Sequence, residues 1–208
     1  MSRYLVNFGD SWAWGAGVRE LQQSSYAEQL GLATDRQLID LSELGTSTAH
    51  MVLQFRRFIQ DHYLPGQDYL AVFFVTAQQR QLAFDSQGAP QEIHPGNPLC
   101  HDYYKTVYTE DLGTFNINTV IITLQAMARY WDINDRYLLG WQSLKLWPEI
   151  DLTRFYQQAE TTAMELLGNT DIIECGQDGN PNFIPGDGHP SLAGHTQIAL
   201  ALARWIQG

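Results

Sequence analysis

The chain has 208 residues, of which 44% are hydrophobic and 17% charged, a composition typical of a globular protein with a sizeable core. Its formal net charge is -11, and its 12 basic residues are scattered along the sequence, which argues against a nucleic-acid partner. There is no run of membrane-spanning length and no signal-peptide pattern, so the sequence predicts a soluble, cytoplasmic protein without membrane insertion. The two cysteines, Cys100 and Cys175, fit a reducing compartment.

Short apolar runs alternate with amphipathic stretches along the chain. The run DYLAVFFV is nearly all apolar, as expected for a parallel strand covered on both faces, whereas apolar residues three and four positions apart indicate a helix. Ser25 and Glu28 have the spacing of a helix capping box. In chain order, the predicted elements are a strand at 3–8, a helix after Ser25, a strand at 36–41, a helix at 49–63, a strand at 68–75, a helix from about 118, a strand at 136–141, a helix at 152–168, a short strand at 171–175 and a carboxyl-terminal helix.

Residues 86–115 depart from this alternation. They mix Gly, Pro, His and Tyr without periodicity and are too many for a simple connection in a compact domain, so we expect a lid or inserted excursion. Elsewhere, strands that alternate with helices predict a parallel sheet with helices on both faces. The sequence therefore predicts one α/β domain over residues 1–208.

A Gly-Asp-Ser motif follows the first predicted strand, which places Ser11 where open parallel sheets bind ligands. Serine at such a position is often only a cap or turn residue, and as a nucleophile it needs a base. The candidate base lies in GDGHPSLAGH, where His189 stands two residues after Asp187. A histidine that takes the serine proton and a carboxylate that orients the histidine are what acyl transfer requires.

Phe-Gly-Asp-Ser near the amino terminus and Asp-x-His-Pro near the carboxyl terminus resemble the SGNH, or GDSL-type, hydrolase family across the whole chain. The resemblance implies a three-layer α/β/α sandwich with a flavodoxin-like parallel sheet of about five strands, and neither a cofactor nor a metal. It matches Ser11 to the nucleophile, His189 to the base and Asp187 to its carboxylate partner. The family usually has two residues between Asp and His, whereas this chain has one, so Asp178 or a Ser–His dyad are alternatives.

The family also uses a glycine and an asparagine in its oxyanion hole. The resemblance matches Gly45 to the glycine, so that the N–H groups of Gly45 and Ser11 would both face a developing oxyanion. The family's Gly-x-Asn-Asp block is replaced here by Thr76-Ala77-Gln78-Gln79. Gln78 stands at the asparagine position and could donate the third hydrogen bond, and Thr76 could do so instead.

These motifs predict a serine esterase that hydrolyses a small acyl ester, in the first place an acetyl ester, on a small molecule or a glycan. The altered third block favours an alternative, a catalytically weakened SGNH scaffold that binds a glycan or a protein partner. A nucleotide site is disfavoured, because GDSWAWGAG fits neither the G-x-G-x-x-G motif nor a P-loop.

Several aromatic and histidine residues have both a functional and a structural interpretation. Trp12 and Trp14 either wall an acyl pocket or pack in the core. His195 is expected to be a surface or packing residue of the last helix. Three tyrosines of the excursion either shape a carbohydrate site or pin the excursion to the rest of the domain. They are Tyr103, Tyr104 and Tyr108.

Overall fold

The computed structural model describes residues 2–169 and 179–208. Four strands form a parallel sheet in the order β2-β1-β3-β6, and β4 and β5 form a separate antiparallel hairpin. The strands are β1 (Arg3–Phe8), β2 (Gln37–Asp40), β3 (Asp68–Val75), β4 (Gln81–Phe84), β5 (Pro90–Ile93) and β6 (Asn134–Leu139). The four sheet strands confirm the predictions at 3–8, 36–41, 68–75 and 136–141, and the strand predicted at 171–175 lies outside the described residues.

Helices cover both faces of this sheet. They are α1 (Ser11–Trp14), α2 (Tyr26–Ala33), α3 (His50–Asp61), α4 (His101–Thr106), α5 (Glu110–Tyr130), α6 (Ala163–Leu166) and α7 (Leu192–Gln207). Side chains alternate along β3, so Leu70, Val72 and Phe74 pack with α2 and α7, whereas Ala71 and Phe73 pack with α3 and α5. The predicted three-layer α/β/α architecture is confirmed, and the buried strand β3 lies at its centre.

The amino terminus of α2 has the predicted capping box. The hydroxyl of Ser25 accepts a hydrogen bond from the backbone N–H of Glu28, and the Glu28 carboxylate accepts one from the N–H of Ser25 at 2.7 Å. Both bonds satisfy N–H groups that have no partner inside the helix.

The prediction of a single helix at 152–168 is wrong. Phe155 is extended and forms a parallel bridge with Tyr137, and the two rings stack with their centroids 4.8 Å apart. Residues 157–159 have positive φ angles, and the only regular helix of this stretch is the short α6, which begins after its cap Thr162. Packing of Phe155 against the edge of the sheet therefore overrides the helical spacing of its apolar residues.

The predicted excursion contains regular structure. The hairpin of β4 and β5 leads into α4, and α5 begins at Glu110, earlier than expected, because the hydroxyl of Thr109 caps it. The Tyr104 hydroxyl donates to the carbonyls of Gln79 and Ile93, which favours the pinning interpretation of this tyrosine. Within the described ranges, no helix combines the length and apolarity needed to cross a bilayer.

Candidate active site

Ser11 is held at the end of β1 by a tight turn into α1. Gly9 has a φ of 153°, and a Cβ atom there would lie 2.6 Å from the Cβ of Ala13 and 2.9 Å from that of Phe74, so only glycine fits. The next residue, Asp10, caps α1 by accepting a hydrogen bond from Trp12 N at 3.0 Å. Ser11 is therefore the first residue of α1 and is 8% exposed.

His189 and Asp187 belong to a loop that closes on itself just before α7. The N–H of Ile184 donates to the carbonyl of His189 at 2.8 Å, and the N–H of Asp187 donates to the carbonyl of Ile184 at 3.1 Å. Gly188, the residue between Asp187 and His189 in the sequence, has a φ of 75°, in the left-handed region that favours glycine. This curl lets two residues that are only two positions apart turn their side chains towards each other.

The fold brings Ser11, His189 and Asp187 into one hydrogen-bonded row. Ser11 Oγ lies 3.0 Å from His189 Nε2, and His189 Nδ1 lies 3.0 Å from Asp187 Oδ1. The side chains become more exposed along the row, from the buried serine to 26% for His189 and 47% for Asp187. Asp178, the alternative partner, lies outside the described residues.

Two backbone N–H groups near the serine are free. Among residues 2–169 and 179–208, neither Ser11 N nor Gly45 N has a hydrogen-bond acceptor. Gly45 is exposed in an otherwise largely buried loop between β2 and α3, and this loop is tied to the turn after β1. The carbonyl of Gly9 accepts from both Glu43 N and Thr46 Oγ1, each at 3.0 Å.

The two candidates for a third donor are engaged elsewhere. The Gln78 amide nitrogen donates to the carboxylate of Glu110 on α5, and the Thr76 hydroxyl donates to Asp10 Oδ2 at 2.8 Å. Neither side chain forms a hydrogen bond to Ser11 or to His189 in the described part of the chain. The oxyanion role of Gln78 stays a prediction, and it would have to use the second N–H of this amide or follow a change of its hydrogen bond to Glu110.

Arg80 is a residue of this region that the sequence motifs did not indicate. Its Nη1 lies 3.3 Å from Asp10 Oδ2 and 3.5 Å from the carbonyl oxygen of Thr46. Asp10 is completely buried; burial raises the pKa of its carboxyl group, and the charge of Arg80 and the hydrogen bond from Thr76 partly oppose that rise. Arg80 stands 70 residues from Asp10, so the sequence alone gives no sign of the ion pair.

Trp12 packs in the core, whereas His195 makes a specific buried contact. The Trp12 ring lies among those of Phe74, Trp141 and Phe183, with centroids 5.8 to 6.0 Å away. His195 is fully buried on α7, and its Nδ1 accepts a hydrogen bond from the backbone N–H of Tyr26 at 3.1 Å. Neither ring is free to bind a ligand.

Comparisons with known proteins bear on the fold. No family model and no curated protein matches the sequence. Among solved structures, the chain is similar to a member of the lipolytic protein G-D-S-L family from Veillonella parvula DSM 2008, with 12% identity, a TM-score of 0.50 and coverage of 98% of this chain and 97% of that one. It is also similar to a candidate SGNH hydrolase from Slackia heliotrinireducens, with 13% identity, a TM-score of 0.48 and coverage of 99% and 100%. The chain therefore has the fold of the SGNH hydrolases.

Proposed function

We propose that this chain is a serine hydrolase of ester bonds in which Ser11 is the nucleophile, His189 the general base and Asp187 its partner. The observation that supports this most strongly is the row of two 3.0 Å contacts from Ser11 through His189 to Asp187. A nucleophile within hydrogen-bond reach of a base, itself oriented by a third group, is the arrangement that activates a hydroxyl. The row also lies at the carboxyl end of a parallel strand, where sheets of this class bind ligands.

In the first half of the reaction, Ser11 Oγ attacks the ester carbonyl carbon while its proton moves to His189 Nε2. Asp187 accepts the Nδ1–H of His189, which keeps the imidazole in the required tautomer and stabilises the imidazolium. The carbonyl oxygen becomes negative and is stabilised by the free N–H groups of Ser11 and Gly45. The tetrahedral species then breaks its bond to the alcohol, which leaves with the proton from His189.

In the second half, water attacks the acyl group on Ser11 and gives a proton to His189. The bond to Ser11 Oγ breaks, the serine recovers its proton from His189, and a carboxylic acid is released. The proton transfers of this cycle involve only the three side chains, the substrate and water. The proton of Ser11 leaves with the alcohol, and a proton from water replaces it on the serine.

The substrate class that we propose is a short acyl ester, first of all acetyl, on a larger alcohol such as a sugar. Support for a short acyl group comes from the low exposure of Ser11, 8%, and from the ring of the next residue, Trp12, which is packed against Phe183. A groove of about 1080 Å³ along α7 has neither Ser11 nor His189 in its lining. By contrast, the side chains of His189 and Asp187 are 26% and 47% exposed, which supports a leaving alcohol that extends towards solvent on that side.

One observation favours a second candidate, the catalytically weakened scaffold that binds a glycan or a protein partner. The amide nitrogen of Gln78 donates to Glu110, and this side chain forms no hydrogen bond to Ser11 or His189 in the described part of the chain, which favours an oxyanion hole with one donor fewer. Loss of one such donor typically lowers the rate by about 10²–10³-fold.

A fluorophosphonate probe, used together with p-nitrophenyl acetate turnover, tests the proposal. We expect the wild type to be labelled and to release nitrophenol, and Ser11→Ala to lose both, because the nucleophile is removed. Ser86→Ala is a matched control, since Ser86 is exposed in the turn between β4 and β5, and it should react like the wild type. Labelling that survives in Ser11→Ala would show that another residue reacts.

The result also separates the two candidates. A folded wild type that neither labels nor turns over would contradict the hydrolase proposal and favour the binding scaffold. A positive result should be followed by acetylated glycans compared with longer acyl esters, and a preference for the longer chains would contradict the proposed substrate class.

A further inference from the structure

Arg80 is bonded to both segments that carry the candidate oxyanion donors. Its guanidinium reaches Asp10, the residue before Ser11, and the carbonyl of Thr46, the residue after Gly45. The two backbone N–H groups of the proposed oxyanion hole therefore each belong to a residue next in sequence to one that Arg80 contacts. Their separation depends on this bridge as well as on the bonds that Gly9 accepts.

Trp141 fixes the plane of the guanidinium. The Arg80 carbon Cζ lies 4.3 Å from the centroid of the Trp141 ring, and this ring packs against Trp12, which lies next to Ser11 in α1. A planar cation held on an aromatic face keeps its orientation better than a flexible ammonium group would. The side chain of Arg80 remains 19% exposed, so part of the guanidinium lies open at the surface of the site.

The charge of Arg80 also matters for the reaction. Asp10 is buried beside the nucleophile, and its negative charge alone would oppose the formation of an oxyanion at Ser11. Arg80 balances this carboxylate, while Thr76 and Trp12 N donate hydrogen bonds to it. The electrostatic effect of Asp10 on the transition state therefore depends on the guanidinium.

Resting on the proposed function, we propose that Arg80 is a positioning residue for the oxyanion hole of this chain. It compensates for the missing asparagine by fixing the donor segments of Ser11 and Gly45 relative to each other and by cancelling the charge of Asp10. This role belongs to the transition state rather than to substrate binding, so it should appear in kcat and not in KM.

The test uses the full chain and three variants, with p-nitrophenyl acetate turnover, the rate of fluorophosphonate labelling and thermal unfolding as readouts. Arg80→Gln keeps hydrogen-bonding capacity but removes the charge, and we expect kcat to fall about 10²-fold with KM within about threefold. Arg80→Lys restores the charge without the planar fork, and should recover about tenfold of that loss. Labelling should slow in the same order, because the phosphonylated serine places an oxygen in the same hole.

Arg136→Gln is the matched control. Arg136 also lies over a tryptophan, Trp205, at 5.4 Å, and also donates to a backbone carbonyl, but on β6 and outside the proposed site. Its kcat should stay within about twofold of the wild type. A loss of the same size in Arg136→Gln would mean that any stacked arginine matters for stability, and would overturn the inference.

The remaining outcomes separate this inference from the proposed function. Wild-type turnover together with unchanged kcat in Arg80→Gln overturns the role of Arg80 and leaves the hydrolase intact. A rise in KM confined to acidic esters would also overturn it, because Arg80 would then bind substrate. If Arg80→Gln does not fold at the assay temperature, Arg80→Lys decides, since an unchanged kcat contradicts the role and about a tenfold loss supports it. A wild type without labelling or turnover overturns the proposed function and this inference with it.

Discussion

His189 and His195 are six residues apart, and the structure gives them opposite surroundings. His189 lies in the loop before α7 with Ser11 on one ring nitrogen and Asp187 on the other, and a quarter of its side chain is exposed. His195 lies on the buried face of α7, where its ring stacks on that of Tyr26 with an interplanar angle of 12°. The same side chain therefore meets polar partners in one place and an aromatic core in the other.

The two histidines differ in burial, and burial affects the protonation of an imidazole. Nδ1 of His195 accepts a hydrogen bond from Tyr26, and its buried Nε2 has no partner among the described residues. Burial, together with the charges of His189 and Arg19, lowers the pKa of His195 to about 4. His195 therefore stays neutral near pH 7, whereas His189 lies within hydrogen-bond distance of a hydroxyl and a carboxylate.

The largest expected effect comes from replacing each of the two histidines in turn, one of which should affect activity and the other stability. His189→Ala should lower kcat by about 10⁴-fold or more, because Ser11 loses its base, with little change in the free energy of unfolding since this ring is partly exposed. His195→Asn should do the opposite. It should keep kcat within about threefold and lower the free energy of unfolding by about 2 kcal/mol, because the stacked ring is removed from the core. Steady-state kinetics and urea unfolding on both variants test the pair.

Two results would contradict this comparison. Turnover that persists in His189→Ala would mean that another base serves Ser11. A large loss of kcat in a fully folded His195→Asn would mean that the buried histidine takes part in the chemistry, although it makes no contact with Ser11 among the described residues.

The predictable part of the molecule is the part whose pattern is local. The strand β3 is recognisable from eight residues with almost no polar side chain, and the capping box of α2 is contained in four residues. Ser11, Asp187 and His189 could be proposed because one short motif follows the first strand and the other precedes the last helix, and both elements have a clear local pattern. Alternating strands and helices then place the motifs at one edge of the sheet.

What the sequence could not predict depends on contacts between distant segments. Gln78 could be aligned with the family's asparagine, but its side chain bonds to Glu110 on a helix that begins 32 residues later. Arg80 reaches Asp10 across 70 residues and has no motif of its own. Phe155 fits a helical pattern, yet pairing with Tyr137 keeps it extended. In each case tertiary packing selects among locally acceptable alternatives.

The next effect is a pH dependence of stability that comes from His195. The unfolded imidazole binds a proton near pH 6.5, whereas the folded one binds it near pH 4, so acid favours the unfolded state. The contribution is fully present above about pH 6.5 and is lost as the pH falls towards 4, by about 3 kcal/mol in total. Urea unfolding at pH 7.5, 5.5 and 4.5 measures the change.

His195→Asn isolates this term from the other titrating groups, among them Asp10, whose raised pKa acts in the opposite direction. The stability advantage of the wild type over the variant should fall steadily as the pH decreases from 6.5 to 4. It should change sign before pH 4, because the acid-linked loss of about 3 kcal/mol exceeds the advantage of about 2 kcal/mol at neutral pH. A difference that stays constant over this range would show that His195 is not held neutral by the fold, and the contrast between the two histidines would then be lost.

The smallest effect concerns the glycines that shape the loop of His189. Gly186 and Gly188 have φ angles of 74° and 75°, so an alanine at either position costs about 1 kcal/mol of stability through the same backbone strain. Only Gly188 stands between Asp187 and His189, and we expect Gly188→Ala to lower kcat about tenfold while Gly186→Ala changes it less than twofold. A Cβ atom at Gly186 would meet nothing within 4 Å, which makes it the matched control.

Kinetics and unfolding of the two alanine variants distinguish strain from positioning. Equal losses of stability with unequal losses of kcat would mean that the curl at Gly188 sets the angle at which Asp187 meets the imidazole. Equal losses of both would mean that the loop tolerates a shift of His189, and Asp187 would then contribute charge without fixing the ring. We expect both alanine variants to keep the loss of stability in acid that His195 produces, because burial is the main cause of its lowered pKa. A changed pH dependence in Gly188→Ala would show that the position of His189, whose charge also lowers this pKa, affects His195.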